Sequence, residues 1–545
     1  MKVVSGALLA ALAVVVWWGA AHPIGSPDFG WQVALGRWIL QYGSIPDTEP
    51  FTHTARGVPM VAHEWASQVI YAAVVDRFGV TALRFGHALL ASGAVLLLFA
   101  WLRRAGLSAG VALLTVVLWV WLAESRFQLR PHMWNVLLFV LAYGALFLAR
   151  PRLSRPQLFG FFAGTVGWVN LHPGAMLLPA AAAVYAVAAT YEQRVLGRAP
   201  AESELGEGRL QRLWTLTGLL LLAILVSPHY ASLFGYVVES GRVNANLSLE
   251  WASIASERGL STRTPGWVAL FFGLSLATGV TAYRRVRVAG FAPIAVVLFV
   301  TALPYVSQRF LWTCFVPLAF VALNLPEIKH RNVLAAAASA GAIAWLGLGL
   351  AEAPPLSRDF RSAKFPVEAM TFLARTQFEG KLFNSNKWGG YVLFRTGEHY
   401  PVFVDGRWIT IGERIVRDSH AIANRTPGHV ELLDDYEIEI LLVHRGWMTE
   451  AIRARGGWIS VFENVNSGVY LRPGPALEAN LDRSARYYAA RGVDFSREVG
   501  FVERDAIRSN SEWARSMRVQ RRHLDQFGAH GRRALSDGVR WVEGW

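Results

Sequence analysis

Long apolar runs alternate with short polar segments from the amino terminus to about residue 350. These runs predict membrane-spanning helices, because the hydrocarbon core of a bilayer requires about 20 largely apolar residues in a helix. We expect about eleven spans, of which the shorter ones are tilted, broken or extended by their flanks. They are 3–20, 82–102, 107–123, 133–149, 157–170, 174–190, 213–227, 265–282, 289–304, 309–325 and 333–350.

The first run also has the features of a secretory signal peptide, with one lysine before it and Ala-Ala-His at 20–22 after it. We favour an uncleaved span. Its length is close to what a bilayer requires, and many further spans follow it.

Arginine and lysine concentrate in alternate loops between the predicted spans. By the positive-inside rule these loops are cytoplasmic, which also places the amino terminus inside and everything after Glu352 outside. The residues are Arg103 and Arg104; Arg150, Arg152 and Arg155; Arg194, Arg198, Arg209 and Arg212; Arg284, Arg285 and Arg287; and Lys329 and Arg331.

The chain therefore predicts a mainly α fold, a polytopic helical membrane bundle followed by a C-terminal extracytoplasmic α/β domain and a helical tail. The parts are 1–352, with an amphipathic first outer loop at 21–80, then 355–475 and an Arg-rich tail at 476–545. Short strands are predicted at Lys381–Asn384, Tyr391–Arg395, Pro401–Asp405, Ile438–His444, Ile459–Glu463 and Gly468–Leu471. Helices are predicted at Val367–Arg375, Leu432–Tyr436 and Met448–Arg455.

The first outer loop contains two amphipathic segments. Between Trp31 and Leu40, apolar residues recur at the spacing of one helix face, which predicts a helix lying at the membrane interface. A second such element begins at His63-Glu64-Trp65 and runs to about Phe78. The turn-rich segment between them includes Asp47 and Glu49, which we interpret as turn residues.

Composition supports a membrane protein. Hydrophobic residues make up 53% of the chain and charged residues 17%, which excludes a disordered chain and argues against a purely soluble one. The net charge is +14, and the lysines and arginines lie mostly in the loops between apolar runs. The charge therefore indicates membrane topology and contact with anionic lipid rather than nucleic-acid binding. Cys314 is the only cysteine, which excludes an intrachain disulfide and Cys-based zinc or iron–sulfur sites.

Asp28 lies between the first predicted span and the first amphipathic helix. A carboxylate there is suited to act as a general base toward a hydroxyl at headgroup level, but the position also suits a helix N-cap. His63 and Glu64, at the start of the second element, have the same two interpretations.

Further polar residues occur at other outer ends of the predicted spans. Each has a structural explanation on its own, such as a snorkelling arginine or a His-Pro turn. Together they collect groups that suit a phosphate, since the planar guanidinium binds oxyanions through two hydrogen bonds. They are Arg126, Arg130, His132, Asn170, His172, Glu250 and Arg309.

Two segments of the outer domain offer groups that suit a sugar acceptor. Asn386 and Trp388 provide an amide and an aromatic face, although we favour a structural turn between strands as their explanation. Asp405 and Arg407 predict an ion pair at a strand end, or a group that shapes an acceptor site.

These residues, in this order, resemble the GT-C superfamily of membrane glycosyltransferases, especially the protein-mannosyltransferase and arabinosyltransferase branches. The resemblance covers the membrane domain and, more loosely, the outer domain to about Arg472. The motifs are Asp28 with the helix after it, the proline-rich turn 45–51, His63–Trp65, Arg130–His132, Asn170–His172, Glu250-Trp251, Trp388–Gly390 and Val404–Arg407.

The resemblance implies an enzyme that moves a sugar from a polyprenyl-phosphate-linked donor to an acceptor hydroxyl at the extracytoplasmic face of a bacterial-type inner membrane. It implies that Asp28 is the catalytic base and that outer arginines and histidines hold the donor phosphate. From its position in the first outer loop, Glu64 is our second candidate for the base. In some relatives it also implies a divalent cation, such as Mg or Mn. The expected partners are the lipid-linked sugar, a glycan, lipid or protein acceptor, and membrane lipids.

Two other functions remain open from the sequence. A transporter of a lipid-linked glycan would carry ionisable groups through the membrane midplane and show repeated halves, and neither feature is evident. A non-catalytic envelope scaffold would recruit partners through the outer domain and the Arg-rich tail.

Overall fold

The computed structural model of the protein describes residues 2–149, 151–197, 208–326, 330–351, 359–361, 364–464 and 466–501. The chain forms two compact units. The first comprises Met1–His22 and Val61–Leu356, and the second comprises Pro23–Met60 and Ser357–Trp545. Most of the first outer loop therefore belongs to the same unit as the C-terminal residues, an arrangement that the sequence did not predict.

The first unit is helical. Up to residue 351 the helices are α1 (Lys2–Ala20), α2 (Phe29–Tyr42), α3 (Trp65–Arg104), α4 (Ala109–Ala123), α5 (Met133–Tyr143), α6 (Arg155–Leu171), α7 (Leu177–Arg194), α8 (Arg209–Leu225), α9 (Ser232–Leu247), α10 (Glu257–Leu260), α11 (Pro265–Ala289), α12 (Phe291–Val306), α13 (Phe315–Asn324) and α14 (Arg331–Ala351). All except α2 belong to this unit.

Apolar helices dominate the first unit, as the sequence predicted. Among the described residues, four are long and apolar enough to cross a membrane, at Trp65–Arg104, Ala109–Arg126, Pro173–Arg194 and Pro265–Val288. Shorter apolar helices are Val4–Ala20, Met133–Leu148, Leu210–Leu225, Phe291–Val306 and Asn332–Leu348. These helices indicate a multi-pass membrane protein, while the count of eleven spans and the orientation remain predictions. Arg150, Arg198 and Lys329, used for the orientation, lie outside the described residues.

The element predicted from His63 to about Phe78 is the first part of α3. Helical geometry breaks at Gly79, where φ is 83° and ψ is 168°, and then resumes toward Arg104. Glycine adopts this positive φ without the clash that a Cβ would cause. α3 thus consists of a short helix before Gly79 and a long apolar helix after it.

The second unit contains a four-stranded sheet with strand order β1-β2-β4-β3. The strands are β1 (Leu382–Asn384), β2 (Ile440–His444), β3 (Ile459–Glu463) and β4 (Ser467–Leu471). β1 and β2 are parallel, and the other two pairs are antiparallel. The helices are α15 (Val367–Thr376), α16 (Asn386–Thr396), α17 (Trp408–Ile411), α18 (Glu413–Asn424), α19 (His429–Asp435), α20 (Glu450–Gly456) and α21 (Leu477–Ala489). The predicted helices at Val367–Arg375, Leu432–Tyr436 and Met448–Arg455 are confirmed as α15, α19 and α20, with no end more than three residues from its predicted place.

The loop segment Pro23–Met60 packs as part of this second unit. The amide N of Ile24 donates to the carbonyl O of Asp359 over 2.8 Å, and the amide N of Val402 donates to the carbonyl O of Phe51 over 3.0 Å. α2, predicted from Trp31 to Leu40, is confirmed as Phe29–Tyr42 and packs on α16. This contact requires glycine, because a Cβ on Gly30 would lie 1.8 Å from the carbonyl O of Gly390.

Two predicted strands are wrong. Tyr391–Arg395 lies inside helix α16. Gly389 and Gly390, which suit a turn in the sequence, are instead helical, and their lack of a Cβ lets α16 pack closely against neighbouring backbone. Pro401–Asp405 is not a strand of the sheet. It forms only an isolated bridge between Val402 and Thr52.

The predicted fold is thus confirmed in outline, with a mainly helical chain and a small sheet near the C terminus. Of the predicted tail at 476–545, α21 covers the start, and residues from 502 lie outside the described residues.

Candidate active site

The predicted site residues divide between the two units. Asp28, Asn386, Trp388, Asp405 and Arg407 belong to the second unit. The others belong to the first, and they are His63, Glu64, Arg126, Arg130, His132, Asn170, His172, Glu250 and Arg309.

In the first unit, the carboxylate of Glu64 is joined to the turn that follows α6. Its Oε1 atom lies 3.0 Å from Nε2 of His172 and 3.8 Å from Nε2 of His63. The indole Nε1 of the neighbouring Trp65 donates to Oδ1 of Asn170 over 2.8 Å. The start of α3 is thereby held against the end of α6, and Asn170 serves this attachment.

A chain of hydrogen bonds determines which nitrogen of His172 carries the proton. The indole N–H of Trp168 donates to Oδ1 of Asn135 over 2.7 Å, which directs the Asn135 amide N–H groups toward Nδ1 of His172, also 2.7 Å away. The backbone N–H of Gly174 donates to the same Nδ1 over 2.9 Å. Because Nδ1 accepts from two donors, Nε2 bears the hydrogen and donates it to the Glu64 carboxylate.

Gln68 lies one turn after Glu64 on the same face of α3. Its side chain is 1% exposed, and neither polar atom of its amide has a hydrogen-bond partner within the described part of the chain. A buried amide without partners is costly, so Gln68 is a candidate to contact a substrate beside Glu64. Gln68, Asn135 and Trp168 were not among the site residues predicted from the sequence.

Three arginines surround a single glutamate in the first unit. Nη1 of Arg130 lies 2.9 Å from Oε2 of Glu250, and Nη1 of Arg126 lies 3.6 Å from the same oxygen. Arg309 lies with its guanidinium carbon 4.5 Å from the ring centre of Trp251. Burial alone would raise the pKa of Glu250, but Arg130, Arg126 and Arg309 outweigh that effect and hold it well below its ordinary value.

This arginine cluster, Arg126, Arg130 and Arg309 with Glu250, gathers three guanidinium groups around the Glu250 carboxylate. His132 belongs to the same region, and its Nε2 donates to the backbone carbonyl of Arg126 over 2.7 Å. Burial and the positive charges of Arg126, Arg130 and Arg309 lower the pKa of His132 well below its ordinary value. The neutral His132 uses its one N–H on the Arg126 carbonyl, and the fixed cations form an environment that stabilises an oxyanion.

His63 interacts both with Glu64 and with one member of the arginine cluster, Arg309. Its ring packs on that of Tyr236 with centroids 4.5 Å apart. Burial lowers the pKa of His63 despite the nearby Glu64 charge, and the positive charge of Arg309 adds to the lowering. The Glu64 carboxylate and the arginine cluster are therefore neighbours within one unit.

In the second unit, Asp28 stands at the N-cap position of α2, but its side chain makes no capping hydrogen bond there. The Trp31 indole Nε1 donates to Oδ1 of Asp28 over 3.4 Å. The carboxylate also lies directly beside Gly406, where a Cβ would come within 2.2 Å of Oδ1. The structure thus gives Asp28 a position that the capping interpretation does not explain.

Arg407 forms a buried ion-pair cluster with two carboxylates, Glu49 and Asp405. Its Nε lies 3.0 Å from Oδ1 of Asp405, and its Nη2 donates to Oε1 of Glu49 over 3.1 Å. Glu49 also accepts from the backbone N–H groups of Phe51 and Thr52. Arg407 is 7% exposed and the two carboxylates 1% or less, so this cluster joins the loop segment to the C-terminal part of the unit. The sequence predicted the Asp405–Arg407 pair but assigned Glu49 only to a turn.

Asn386 and Trp388 lie in the first turn of α16 rather than in a loop. The indole of Trp388 is 1% exposed, and its Nε1 donates to the carbonyl O of Lys364 over 3.0 Å. That ring is thus part of the domain interior, while Asn386 is half-buried and contacts His420.

No group of three or more His, Cys, Asp or Glu side chains in the described ranges is placed to hold a metal ion. The divalent cation that the resemblance implies stays a prediction for this chain.

The fold is similar to that of the archaeal oligosaccharyltransferase AglB from Archaeoglobus fulgidus. In complex with an inhibitory peptide and a dolichol-phosphate, that enzyme matches with a TM-score of 0.51 and 12% identity over 81% of this chain and 69% of that chain. Its complex with Zn and sulfate matches with a TM-score of 0.52 and 13% identity over 85% and 73%. These neighbours are GT-C membrane glycosyltransferases. The predicted resemblance is confirmed at the level of the fold. No family model and no curated protein matches the chain by sequence.

Proposed function

We propose that the protein is a membrane glycosyltransferase that transfers a sugar from a polyprenyl-phosphate-linked donor to an acceptor hydroxyl at the extracytoplasmic face. Its fold is that of enzymes that handle lipid-linked sugars, and one AglB structure holds a dolichol-phosphate and a peptide. The observation that carries the proposal is the arrangement in the first unit, where the oriented Glu64 carboxylate neighbours the arginine cluster.

The arginine cluster suits the leaving group of this reaction. When the bond between the sugar C1 and the phosphate oxygen breaks, both electrons remain on the phosphate, which departs as the polyprenyl phosphate. Arg126, Arg130 and Arg309 stabilise the charge that develops there, and His132 holds Arg126 in place through its hydrogen bond to the Arg126 carbonyl. Charges held in place before the reaction are effective because they need not reorganise during it.

The acceptor needs a base. As its oxygen forms the new bond to the sugar C1, the hydroxyl proton moves to a carboxylate, for which we propose Asp28. Asp28 precedes α2 and lies beside Gly406, a position that capping of the helix does not explain. Glu64, oriented by His172, positions the substrate and is the second candidate for the base.

The direction of insertion follows from the basic loops. With those loops in the cytoplasm, the arginine cluster and Glu64 lie at the outer ends of the spans, in a multi-pass protein of a bacterial-type plasma membrane. The acceptor is a glycan, lipid or protein hydroxyl, and the AglB peptide complex supports an acceptor of that general kind.

The test is transfer of a labelled sugar from polyprenyl-phosphate donors to an extracted envelope acceptor pool by the purified full-length protein. Asp28→Asn and Glu64→Gln are compared with wild type, and Asp47→Asn is the control because Asp47 is exposed in the same loop. We expect Asp28→Asn to lose at least about 10²-fold in rate, since that is the usual worth of a general base, and Asp47→Asn to retain activity.

Other outcomes are informative. Loss in Glu64→Gln alone would move the base to Glu64. If both variants are folded and transfer the sugar as fast as the wild type, neither Asp28 nor Glu64 is the base. Absence of transfer by the wild type across several donors would favour the scaffold or the transporter.

A further inference from the structure

A further polar site in the first unit lies at the start of α11, which is also one end of the candidate membrane span Pro265–Val288. Thr264 caps this helix, since its side chain accepts from the backbone N–H of Trp267. The guanidinium carbon of Arg263 lies 4.6 Å from the ring centre of Trp267, so the two side chains are stacked. Neither Arg263 nor Trp267 was among the site residues predicted from the sequence.

Two nitrogen donors at this place have no hydrogen-bond partner within the part of the chain that the structure describes. They are Nε of Arg263 and Nε1 of Trp267, and both atoms are buried. Trp267 is 4% exposed, and its ring stacks on that of Phe271 with the planes 9° apart, which holds the indole in place. Buried donors without acceptors are unfavourable, so two of them on stacked side chains favour an acceptor from outside the chain.

Arg263 is held in position but is not enclosed. Its Nη2 donates to Oε1 of Gln308 over 2.9 Å, and the backbone N–H of Gln308 donates to the carbonyl O of Ala252 over 2.9 Å. The indole of Trp267 covers one face of the guanidinium, which leaves the edge of that group for hydrogen bonds. Because Arg263 is half-buried, part of its side chain is open to a ligand.

The site adjoins the arginine cluster. Gln308, which accepts from Arg263, directly precedes Arg309 in the chain. The positive charge of Arg263 also acts on Arg126, so the two guanidinium groups share one neighbourhood. Glu124 is a carboxylate whose charge acts on Arg263, but it is exposed, and Nε of Arg263 remains without an acceptor in the described ranges. An anion at Arg263 would therefore lie next to one bound by the arginine cluster.

We propose that Arg263 and Trp267 bind a phosphate group beside the phosphate that the arginine cluster holds. A phosphate brings several acceptor oxygens and negative charge, which match two N–H donors and a guanidinium. The N-terminus of the 25-residue α11 adds the positive end of a helix dipole. The end of a candidate membrane span also lies at the depth of lipid phosphates.

A phosphate at this place has two sources. One is the second phosphate of a polyprenyl diphosphate carrier whose other phosphate occupies the arginine cluster, and the other is the headgroup of a separate membrane lipid. The first source rests on the proposed function, whereas phosphate binding at Arg263 does not. A protein that binds phosphates here and transfers no sugar would overturn the enzyme proposal and leave this one intact.

The experiment is calorimetric titration of the purified full-length protein in a maltoside detergent, which contains no phosphate. The ligands are farnesyl phosphate, farnesyl diphosphate and dihexanoylphosphatidylglycerol. Arg263→Met removes the cation, and Trp267→Phe keeps the aromatic ring but removes its N–H donor. Arg242→Met is the matched control, because Arg242 is exposed on α9 of the same unit and pairs with Glu239.

We expect the wild type to bind farnesyl diphosphate about tenfold more tightly than farnesyl phosphate, because the second phosphate gains a charged hydrogen bond. Arg263→Met should lose this preference, Trp267→Phe should reduce it, and Arg242→Met should retain it. If the phosphate belongs to a separate lipid, both site variants instead bind dihexanoylphosphatidylglycerol about tenfold more weakly and leave the diphosphate preference unchanged. Either result supports a phosphate site at Arg263, and the two results distinguish its source.

Two outcomes would overturn the proposal. The first is unchanged binding of farnesyl diphosphate and dihexanoylphosphatidylglycerol in both Arg263→Met and Trp267→Phe. The second is an equal loss for all three ligands in Arg263→Met, which would make Arg263 a member of the arginine cluster rather than a separate site. If Arg263→Met is misfolded, Arg263→Gln replaces it.

Discussion

The Nε2–H of His172 donates to the carboxylate of Glu64 over 3.0 Å, at the end of a chain of hydrogen bonds from Trp168 through Asn135. The chain fixes both the tautomer and the ring orientation of His172. We therefore propose that His172 positions Glu64.

Removal of this support should reduce transfer. In His172→Ala, Glu64 loses its oriented donor, and we expect kcat to fall by up to about 10²-fold with a smaller change in KM. His172→Gln, which retains an amide donor, should recover part of the loss. Steady-state kinetics of the purified variants measure both constants. His399→Ala, at an exposed site in the second unit, is the control, and equal loss in His172→Gln and His172→Ala would contradict a positioning role.

The buried cluster of Arg407 predicts a stability defect in the second unit. Glu49→Gln leaves the guanidinium with one carboxylate instead of two, and breaking a buried pair costs about 3–5 kcal/mol. Glu413→Gln should cost about 1 kcal/mol or less, since Glu413 pairs with Arg417 on the exposed face of α18. Native-state hydrogen exchange of amides in the sheet measures the difference. A similar effect of both substitutions would show that the Glu49 contact adds little.

The contact between α2 and α16 predicts that Gly30 cannot be enlarged. In Gly30→Ala the new methyl group meets the carbonyl O of Gly390 at 1.8 Å, so the helices must separate. We expect a loss of about 1–3 kcal/mol or more, seen as a lower melting temperature. Gly164→Ala in α6 meets no atom within 4 Å and should be neutral or stabilising, because alanine is the better helix former. Equal melting temperatures for the two variants would contradict the close packing.

His132 predicts a pH dependence of stability. Its pKa in the folded protein lies well below the ordinary 6.5, so between these two values the unfolded chain binds more protons than the folded one. The free energy of unfolding should therefore fall as the pH falls through 6.5. His132→Gln should flatten this slope, measured as melting temperatures at pH 7.5 and 5.5, and His399→Gln is the control. An unchanged slope in His132→Gln would contradict the assignment.

Local pattern determined much of this protein. Apolar runs predicted the helices of the first unit, and the spacing of Trp31, Leu35 and Trp38 predicted α2. These signals are local because a helix face is set by residues three and four apart. Order and residue type along the outer segments also carried the resemblance to GT-C enzymes, which the fold confirms.

Only the tertiary structure decided which distant residues meet. Glu49 pairs with Arg407 although more than 350 positions separate them, and Asn135 reaches His172 from another helix. The same holds for the wrong strand at Tyr391–Arg395, since Gly389 and Gly390 suit a turn locally but serve close packing of α16 in the fold. Periodicity and propensity describe neighbours along the chain. Burial, ion pairing and close backbone approach depend on the whole packing and are not contained in the local pattern.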